Sequence, residues 1–121
     1  VMDNHIHLIW QPLPGQTLSS IQLSFMKFTA QQIKFALAID NPALLGQCKV
    51  NKSDREYQIW KRKPLSIELS SQKVFIQKLE YIHYNPVAAG ICIYPEDYHF
   101  SSALFYEKGI DHFNMLTHYL G

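Results

Sequence analysis

The sequence predicts a single α+β domain, on three observations. Apolar residues make up 47% of the 121-residue chain and charged residues 17%, which is a globular composition. The chain opens on a stretch of strand-like alternation, and two later segments carry apolar residues at helical spacing. No repeat, low-complexity run or linker divides the sequence, so we expect residues 1–121 to form one domain.

Charge and hydropathy indicate which partners and which compartment to expect. The formal net charge of +1 gives no support to nucleic-acid binding, although a local group of Lys and Arg side chains can supply the attraction. No apolar run approaches the length of a membrane span, and no leader is recognisable. Cys48 and Cys92 match no metal-binding spacing, and we expect two buried thiols, with one disulfide as the alternative. We therefore expect a cytoplasmic protein.

The first half of the chain is predicted to contain a strand, a long helix and further strand. Residues Val1–Trp10 read as a strand, which is followed by a Pro- and Gly-containing loop. Thr17 or Ser19 is predicted to cap a helix that runs to about Ile39, because apolar residues recur at intervals of three to five. Residues 43–52 are predicted to be irregular or a short helical turn, and 55–61 and 65–69 are predicted strands.

The second half is predicted to centre on one helix. Ser70 or Ser71 is predicted to cap a helix from Gln72 to about Tyr84. We expect Asn85-Pro86 to close that helix, because a residue before proline disfavours helical backbone angles. Residues 87–90 are predicted to form a further helical turn, and short amphipathic pieces are expected at 101–106 and 115–119.

Two groups of side chains can carry chemistry. On a strand, His5 and His7 project from the same face, so their imidazoles can hold one divalent cation. On the second helix, Tyr81 and Asn85 are four residues apart and share a face, so the amide oxygen of Asn85 can complete the coordination of Mg²⁺ or Mn²⁺. The alternative interpretation gives these residues no function: His5 and His7 are then ordinary strand histidines, Tyr81 is a half-buried helix residue, and Asn85 ends the helix.

A phenol beside a cation suggests phosphoryl transfer. Phenols are weak nucleophiles near neutral pH, but a cation that polarises a phosphodiester compensates for this. Attack would link the tyrosine to the 5′ phosphate and release a 3′ hydroxyl. Three tyrosines compete for that role on the sequence alone: Tyr57, Tyr81 and Tyr84.

Three ordered segments resemble one family. Val1-Met2-Asp3-Asn4-His5-Ile6-His7-Leu8-Ile9-Trp10 resembles the HUH motif (two histidines around a hydrophobic residue) of the single-tyrosine transposases. Tyr81-Ile82-His83-Tyr84-Asn85-Pro86-Val87-Ala88-Ala89-Gly90 resembles the tyrosine helix of the REP-associated branch, an IS200-like transposase group. Pro95-Glu96-Asp97-Tyr98-His99-Phe100-Ser101-Ser102 resembles the tail of that branch. Each segment alone is weakly specific, whereas the ordered set is highly specific.

The resemblance implies a fold and roles for individual residues. It implies a ferredoxin-like antiparallel sheet with helices on one face. It also implies that His5 and His7 are metal ligands, that Tyr81 is the nucleophile and that Asn85 is a further ligand of Mg²⁺ or Mn²⁺. The substrate would be single-stranded DNA with hairpin-forming repeats.

A basic segment before the tyrosine helix is the predicted DNA contact. By the same resemblance, Lys61 and Arg62 would bind phosphates and Trp60 would stack on an unpaired base. A solvated basic turn beside a core tryptophan is an equally good interpretation.

The chain departs from the family pattern at its start. Family members place a strand, a helix and a strand before the histidine strand, and Asp3 stands where the family usually has proline. We therefore expect a domain that lacks its first strands and helix, as a truncated product, a fragment or a half that borrows strands. A homodimer or another strand-supplying partner is the corresponding expectation.

Three functions follow. The first is a transesterase that nicks and rejoins single-stranded DNA. The second is an inactive relative that only binds structured single strands. The third is a small metal-dependent hydrolase in which water attacks, and the lack of carboxylates near the histidines counts against it.

Overall fold

The computed structural model describes all residues from 1 to 121 and contains both helix and sheet. The regular elements are, in order, α1 (Leu18–Asp40), α2 (Pro42–Gln47), β1 (Lys49–Lys52), β2 (Arg55–Tyr57), α3 (Gln72–Ala88), a 3₁₀ helix (Pro95–Asp97) and α4 (Ala103–Lys108). The α+β class is thus observed, with one antiparallel two-stranded sheet. None of the helices combines the length and the apolar character needed to cross a membrane.

The chain divides into two compact units. We call residues 11–67 the hairpin unit, and residues 1–10 together with 68–121 the α3 unit. Only four residues are buried: Leu45 in the hairpin unit, and Leu79, Pro86 and Ala103 in the α3 unit. Cys48 and Cys92 are both free thiols, and both are half-buried rather than buried as predicted.

The hairpin unit begins with the predicted long helix. Thr17 caps α1 by accepting the Ser20 N–H, and Asn41 follows the helix as its C-cap. Asn41 then caps α2 through the Leu44 N–H, with Pro42 in the first turn of that helix, where its missing N–H costs nothing. The predicted apolar stripe of α1 buries no residue, and Phe28 remains 66% exposed.

The sheet is smaller than predicted. β1 and β2 pair antiparallel, with Lys49 opposite Tyr57 and Lys52 opposite Arg55. The strand predicted over 55–61 ends at Tyr57, and the one predicted over 65–69 does not form. Both errors share a cause: a strand exists only where a neighbour supplies hydrogen bonds, and a local pattern does not reveal that neighbour.

The α3 unit corrects two predictions at its ends. No strand forms over Val1–Trp10, since no other segment pairs with it. The helix predicted to end near Tyr84 continues to Ala88, so Pro86 lies inside α3, where it is buried. The ring removes one hydrogen bond, the one that its nitrogen would have donated to the Ile82 carbonyl.

The end of α3 is closed by a glycine motif. Gly90 has a φ of 73°, its N–H donates to the Val87 carbonyl at 2.9 Å, and the Ile91 N–H donates to the Pro86 carbonyl at 2.9 Å. This pattern satisfies carbonyls at the helix end that would otherwise lack partners. At the other end, Ser71 accepts the Val74 N–H as predicted. The helix is therefore well capped at both ends, on either side of the residues of interest.

Candidate functional site

The two histidines of the N-terminal segment lie side by side without being in a strand. The Met2 N–H donates to the His5 carbonyl at 2.8 Å, across a bend at Asp3 and Asn4. The rings of His5 and His7 are 4.9 Å apart between centroids and inclined at 80°. The expected proximity of the two imidazoles is therefore observed, on a backbone different from the predicted one.

A neighbouring asparagine orients the His5 ring. Nδ1 of His5 lies 2.7 Å from Oδ1 of Asn4, and an amide oxygen can only accept. Nδ1 therefore carries a proton and donates it to this hydrogen bond. Histidines that bind metals are commonly held by such a hydrogen bond through their second nitrogen.

Helix α3 brings Tyr81 and Asn85 to His7. Nδ2 of Asn85 lies 3.1 Å from Nε2 of His7 and donates to it. The ring of Tyr81 lies 5.8 Å from the ring of His7, at 78°. His5, His7, Tyr81 and Asn85 thus form one cluster within the α3 unit, and we call these four residues the HY cluster.

The electrostatics of His7 favour its neutral form. Partial burial, then the charge of His5 and that of the N-terminal ammonium group, lowers the pKa of His7 below its ordinary value of 6.5. Only a neutral imidazole has a lone pair for a cation. Neutral His7 therefore has its lone pair on Nε2, which accepts from Nδ2 of Asn85, so a bound cation would replace this hydrogen bond.

The donor atoms of the HY cluster fit a cation of intermediate hardness. They are two imidazole nitrogens and the side-chain oxygen Oδ1 of Asn85, which accepts no hydrogen bond, whereas Nδ2 of the same amide donates to His7. The structure contains no group of three or more His, Cys, Asp and Glu side chains that could hold a metal ion. Any third ligand from the HY cluster would be the side-chain oxygen of Asn85. Imidazole suits transition metals, whereas Mg²⁺ prefers oxygen ligands, so the set fits Mn²⁺ better than Mg²⁺.

The structure separates the three candidate tyrosines. Tyr81 is 61% exposed and faces His7. Tyr84 is 59% exposed but lines a different feature, a cavity of about 410 Å³ bordered by Glu80, His83, Pro95, Glu96, Ala103, Tyr106 and Glu107. Tyr57 belongs to β2 in the hairpin unit, under Lys49. Tyr81 alone contacts an imidazole of the HUH-like motif.

The predicted DNA-contact residues lie in the hairpin unit. The indole N–H of Trp60 donates to Oγ1 of Thr29 on α1 at 3.0 Å, and the side chain is half-buried. This hydrogen bond gives the indole a structural role in the unit. Lys61 and Arg62 are exposed and form no ion pair, so both side chains are accessible to a phosphate group.

Three residues beside the HY cluster were not assigned a role from the sequence. Asn4 orients His5, Tyr98 donates to the Val1 carbonyl, and His83 lies 2.9 Å from Ser102 Oγ. Asn4 could have been found, since an Asn next to a histidine often forms a local side-chain hydrogen bond. The Tyr98–Val1 and His83–Ser102 contacts join residues far apart in the chain, so no local sequence pattern predicts them.

Comparisons with protein-family models, curated proteins and solved structures return no significant match for this chain. Its interpretation therefore rests on the motifs and the geometry of the HY cluster.

Proposed function

We propose that this protein is a single-stranded DNA transesterase that nicks and rejoins DNA through Tyr81, with a divalent cation held by His5, His7 and Asn85. The main support for the proposal is that Tyr81 and Asn85 both contact the imidazole of His7, Tyr81 through its ring and Asn85 through a hydrogen bond. Residues 78 positions apart in the chain, His7 and Asn85, are in direct hydrogen-bond contact.

The chain's own groups perform the proposed reaction in one balanced step. The Tyr81 oxygen attacks phosphorus, its proton passes to solvent, and the P–O3′ bond breaks as the 3′ oxygen takes up a proton. The strand is then joined to Tyr81 through its 5′ phosphate, and the reverse attack by a 3′ hydroxyl rejoins it. When bound, the cation polarises the phosphate and stabilises the developing negative charge.

The accessibility of Tyr81 supports this role. Its side chain is 61% exposed, so a phosphodiester can approach the hydroxyl without rearrangement of a core. His5 is also exposed, whereas His7 and Asn85 are half-buried. The HY cluster therefore has a fixed side against α3 and an open side, and we assign the open side to the DNA.

The remaining parts of the proposal rest on the family resemblance. They are the ferredoxin-like fold, the REP-associated branch of the single-tyrosine transposases, the hairpin-forming target and phosphate binding by Lys61 and Arg62. The half-burial of Trp60 supports a structural role over base stacking for that residue.

A non-cutting DNA-binding protein is the second candidate. One observation favours it: residues 1–10, which carry both histidines, are paired with no strand. A ligand segment without such support is less well ordered, and metal sites lose affinity when their ligands are loosely held.

The test is formation of a covalent adduct. The wild-type chain, given a hairpin-bearing single strand and Mn²⁺, is expected to give a protein–DNA species that survives denaturing electrophoresis. Tyr81→Phe is expected to abolish it, because the attacking oxygen is gone, while Mn²⁺ binding is retained. Tyr84→Phe is the matched control, since this exposed tyrosine on the same helix lines a cavity that His7 does not border, and it is expected to leave the adduct unchanged.

Other outcomes decide between the alternatives. Absence of an adduct with wild-type protein that still binds the hairpin would favour the binding protein. Continued cutting by Tyr81→Phe would favour a hydrolase that uses water as the nucleophile.

A further inference from the structure

The segment Pro95–Ser102 is the one family-like motif that the proposed chemistry leaves unused. It consists of the 3₁₀ helix, then Tyr98, His99 and Phe100, and then two serines that lead into α4. We call it the anchor segment, for the contacts described next.

The anchor segment holds the first residue by two hydrogen bonds. The Tyr98 hydroxyl donates to the Val1 carbonyl oxygen at 2.6 Å. The Val1 nitrogen donates to the Phe100 carbonyl oxygen at 2.8 Å. The Tyr98 ring in turn lies edge-on to the ring of Phe100, 6.1 Å away.

These bonds matter because the histidine-bearing segment has few others. Among residues 1–9, the only other hydrogen bond to a distant residue is that between His7 and Asn85. The remaining two are local, Met2 to His5 and His5 to Asn4. Long-range hydrogen bonds therefore hold residues 1–9 at two positions, Val1 and His7, and both imidazoles lie at or near the second.

The anchor segment is itself fixed to α3. Its 3₁₀ helix contacts both α3 and α4. Ser102 Oγ lies 2.9 Å from Nε2 of His83, and His83 is two residues from Tyr81 on α3. The helix that carries Tyr81 and Asn85 thus also supports the group that holds Val1.

We infer that Tyr98 is a positioning residue of the HY cluster: through Val1, the anchor segment holds His5 and His7 against α3 in the arrangement that binds the cation. The inference deepens the proposed function and rests on it. Preorganised ligands bind a cation more tightly because less conformational freedom is lost on binding. Loss of the Tyr98 hydroxyl therefore weakens cation binding, whereas the step performed by Tyr81 is unaffected once the cation is bound.

Two variants of the full chain test this. Tyr98→Phe removes one hydroxyl and keeps the ring. Tyr94→Phe is the matched control, because Tyr94 is 60% exposed and its hydroxyl makes no hydrogen bond. The first measurement is backbone order at residues 4–9 by ¹⁵N relaxation, without metal or DNA. The second is the Mn²⁺ concentration that half-saturates adduct formation.

Tyr98→Phe is expected to lower the order parameters of residues 4–9 and to raise the half-saturating Mn²⁺ concentration roughly tenfold, which is the size of effect that supporting groups have at metal sites. The maximal rate at saturating Mn²⁺ is expected to stay within about twofold of wild type, because a positioning role acts through affinity. Tyr94→Phe is expected to change neither quantity.

Unchanged order at residues 4–9 in Tyr98→Phe would overturn the inference, whether or not the protein cuts DNA. An unchanged half-saturating concentration with a reduced maximal rate would also overturn it. A failure of the proposed function looks different: the wild-type chain itself would form no adduct at any Mn²⁺ concentration.

Discussion

At the scale of single residues, His7 and His83 differ in what surrounds them. His7 belongs to the HY cluster, and His83 supports α3 through Ser102. Burial lowers the pKa of His83 below its ordinary value of 6.5. A histidine held neutral in the folded chain makes stability depend on pH.

Acidification is expected to destabilise the protein below about pH 6.5. As pH falls through 6.5, the unfolded chain protonates His83 while the folded chain, with its lower pKa, does not. Proton uptake therefore favours unfolding, and the loss of stability grows until the pH passes the folded pKa. The measurement is the urea midpoint between pH 8 and pH 5. His83→Gln is expected to reduce the slope of this profile, while His7, whose pKa is also lowered, gives a remaining slope of the same sign.

His112→Gln serves as the control for this profile, because the side chain of His112 is exposed. It is expected to leave the slope as in wild type. A wild-type midpoint that rises as the pH is lowered from 6.5 would contradict the assignment.

At the scale of elements, α3 depends on how its last turn ends. The helix continues past Pro86 and stops at a left-handed Gly90. The sequence rule that proline ends a helix is a statement about backbone preference, and it was overridden because the ring is buried and the glycine motif satisfies the final carbonyls.

Gly90→Ala is expected to lower the stability of the α3 unit by about 1–2 kcal/mol, the cost of a left-handed conformation for a residue with a Cβ. Its φ is 73°, and no atom lies within 4 Å of the place that an alanine methyl group would take, so the cost comes from the backbone alone. The measurement is urea unfolding followed by circular dichroism.

Gly46→Ala is the matched control with the opposite sign. Gly46 lies inside α2 with no positive φ and equally open surroundings. Alanine favours helix over glycine, so this change is expected to stabilise by about 0.5–1 kcal/mol. Equal effects of the two substitutions would contradict the account of the α3 terminus.

Local signals predicted the helices well and the strands poorly. Thr17 and Ser71 cap helices through bonds to residues three positions away, so their role is visible in the sequence. The strand predicted over Val1–Trp10 needed a partner elsewhere in the chain, and none is present. His5 and His7 nevertheless lie close together as predicted, because side chains two residues apart can approach each other in several backbone conformations.

The candidate site was predicted in two parts of different kinds. Spacing alone indicated the His5–His7 pair and the shared helical face of Tyr81 and Asn85. That the two pairs meet came from the family resemblance, since local chemistry cannot specify a contact across the chain. Tyr98 and its bond to Val1 lay beyond both kinds of argument.

At the scale of the whole molecule, the small number of buried side chains is the main feature. Leu45, Leu79, Pro86 and Ala103 are the only buried residues, and none has an exposed fraction below 2%. Apolar burial is the main favourable contribution to folding, so we expect modest stability.

The slope of urea unfolding tests this directly, because it scales with the surface exposed on unfolding. We expect a slope of about 1 kcal/mol/M, at the lower end of the range for small proteins. A protein of similar length with a full core, measured in the same way, provides the reference. A slope of about 2 kcal/mol/M or more would contradict the small number of buried residues in this chain.

The position of the bound cation is the central claim, and paramagnetic broadening by Mn²⁺ measures it most directly. Broadening falls off steeply with distance from the ion, so side-chain signals report proximity. At substoichiometric Mn²⁺, the signals expected to disappear first are those of the HY cluster: His5, His7, Tyr81 and Asn85. The Tyr94 ring signals are expected to persist.

The competing location is the other close pair of imidazoles, His99 and His112, whose ring centroids lie 5.3 Å apart. Early loss of the Tyr81 ring signals together with those of His5 and His7 is the predicted result. Early loss at His99 and His112, with the Tyr81 signals still sharp, would contradict it.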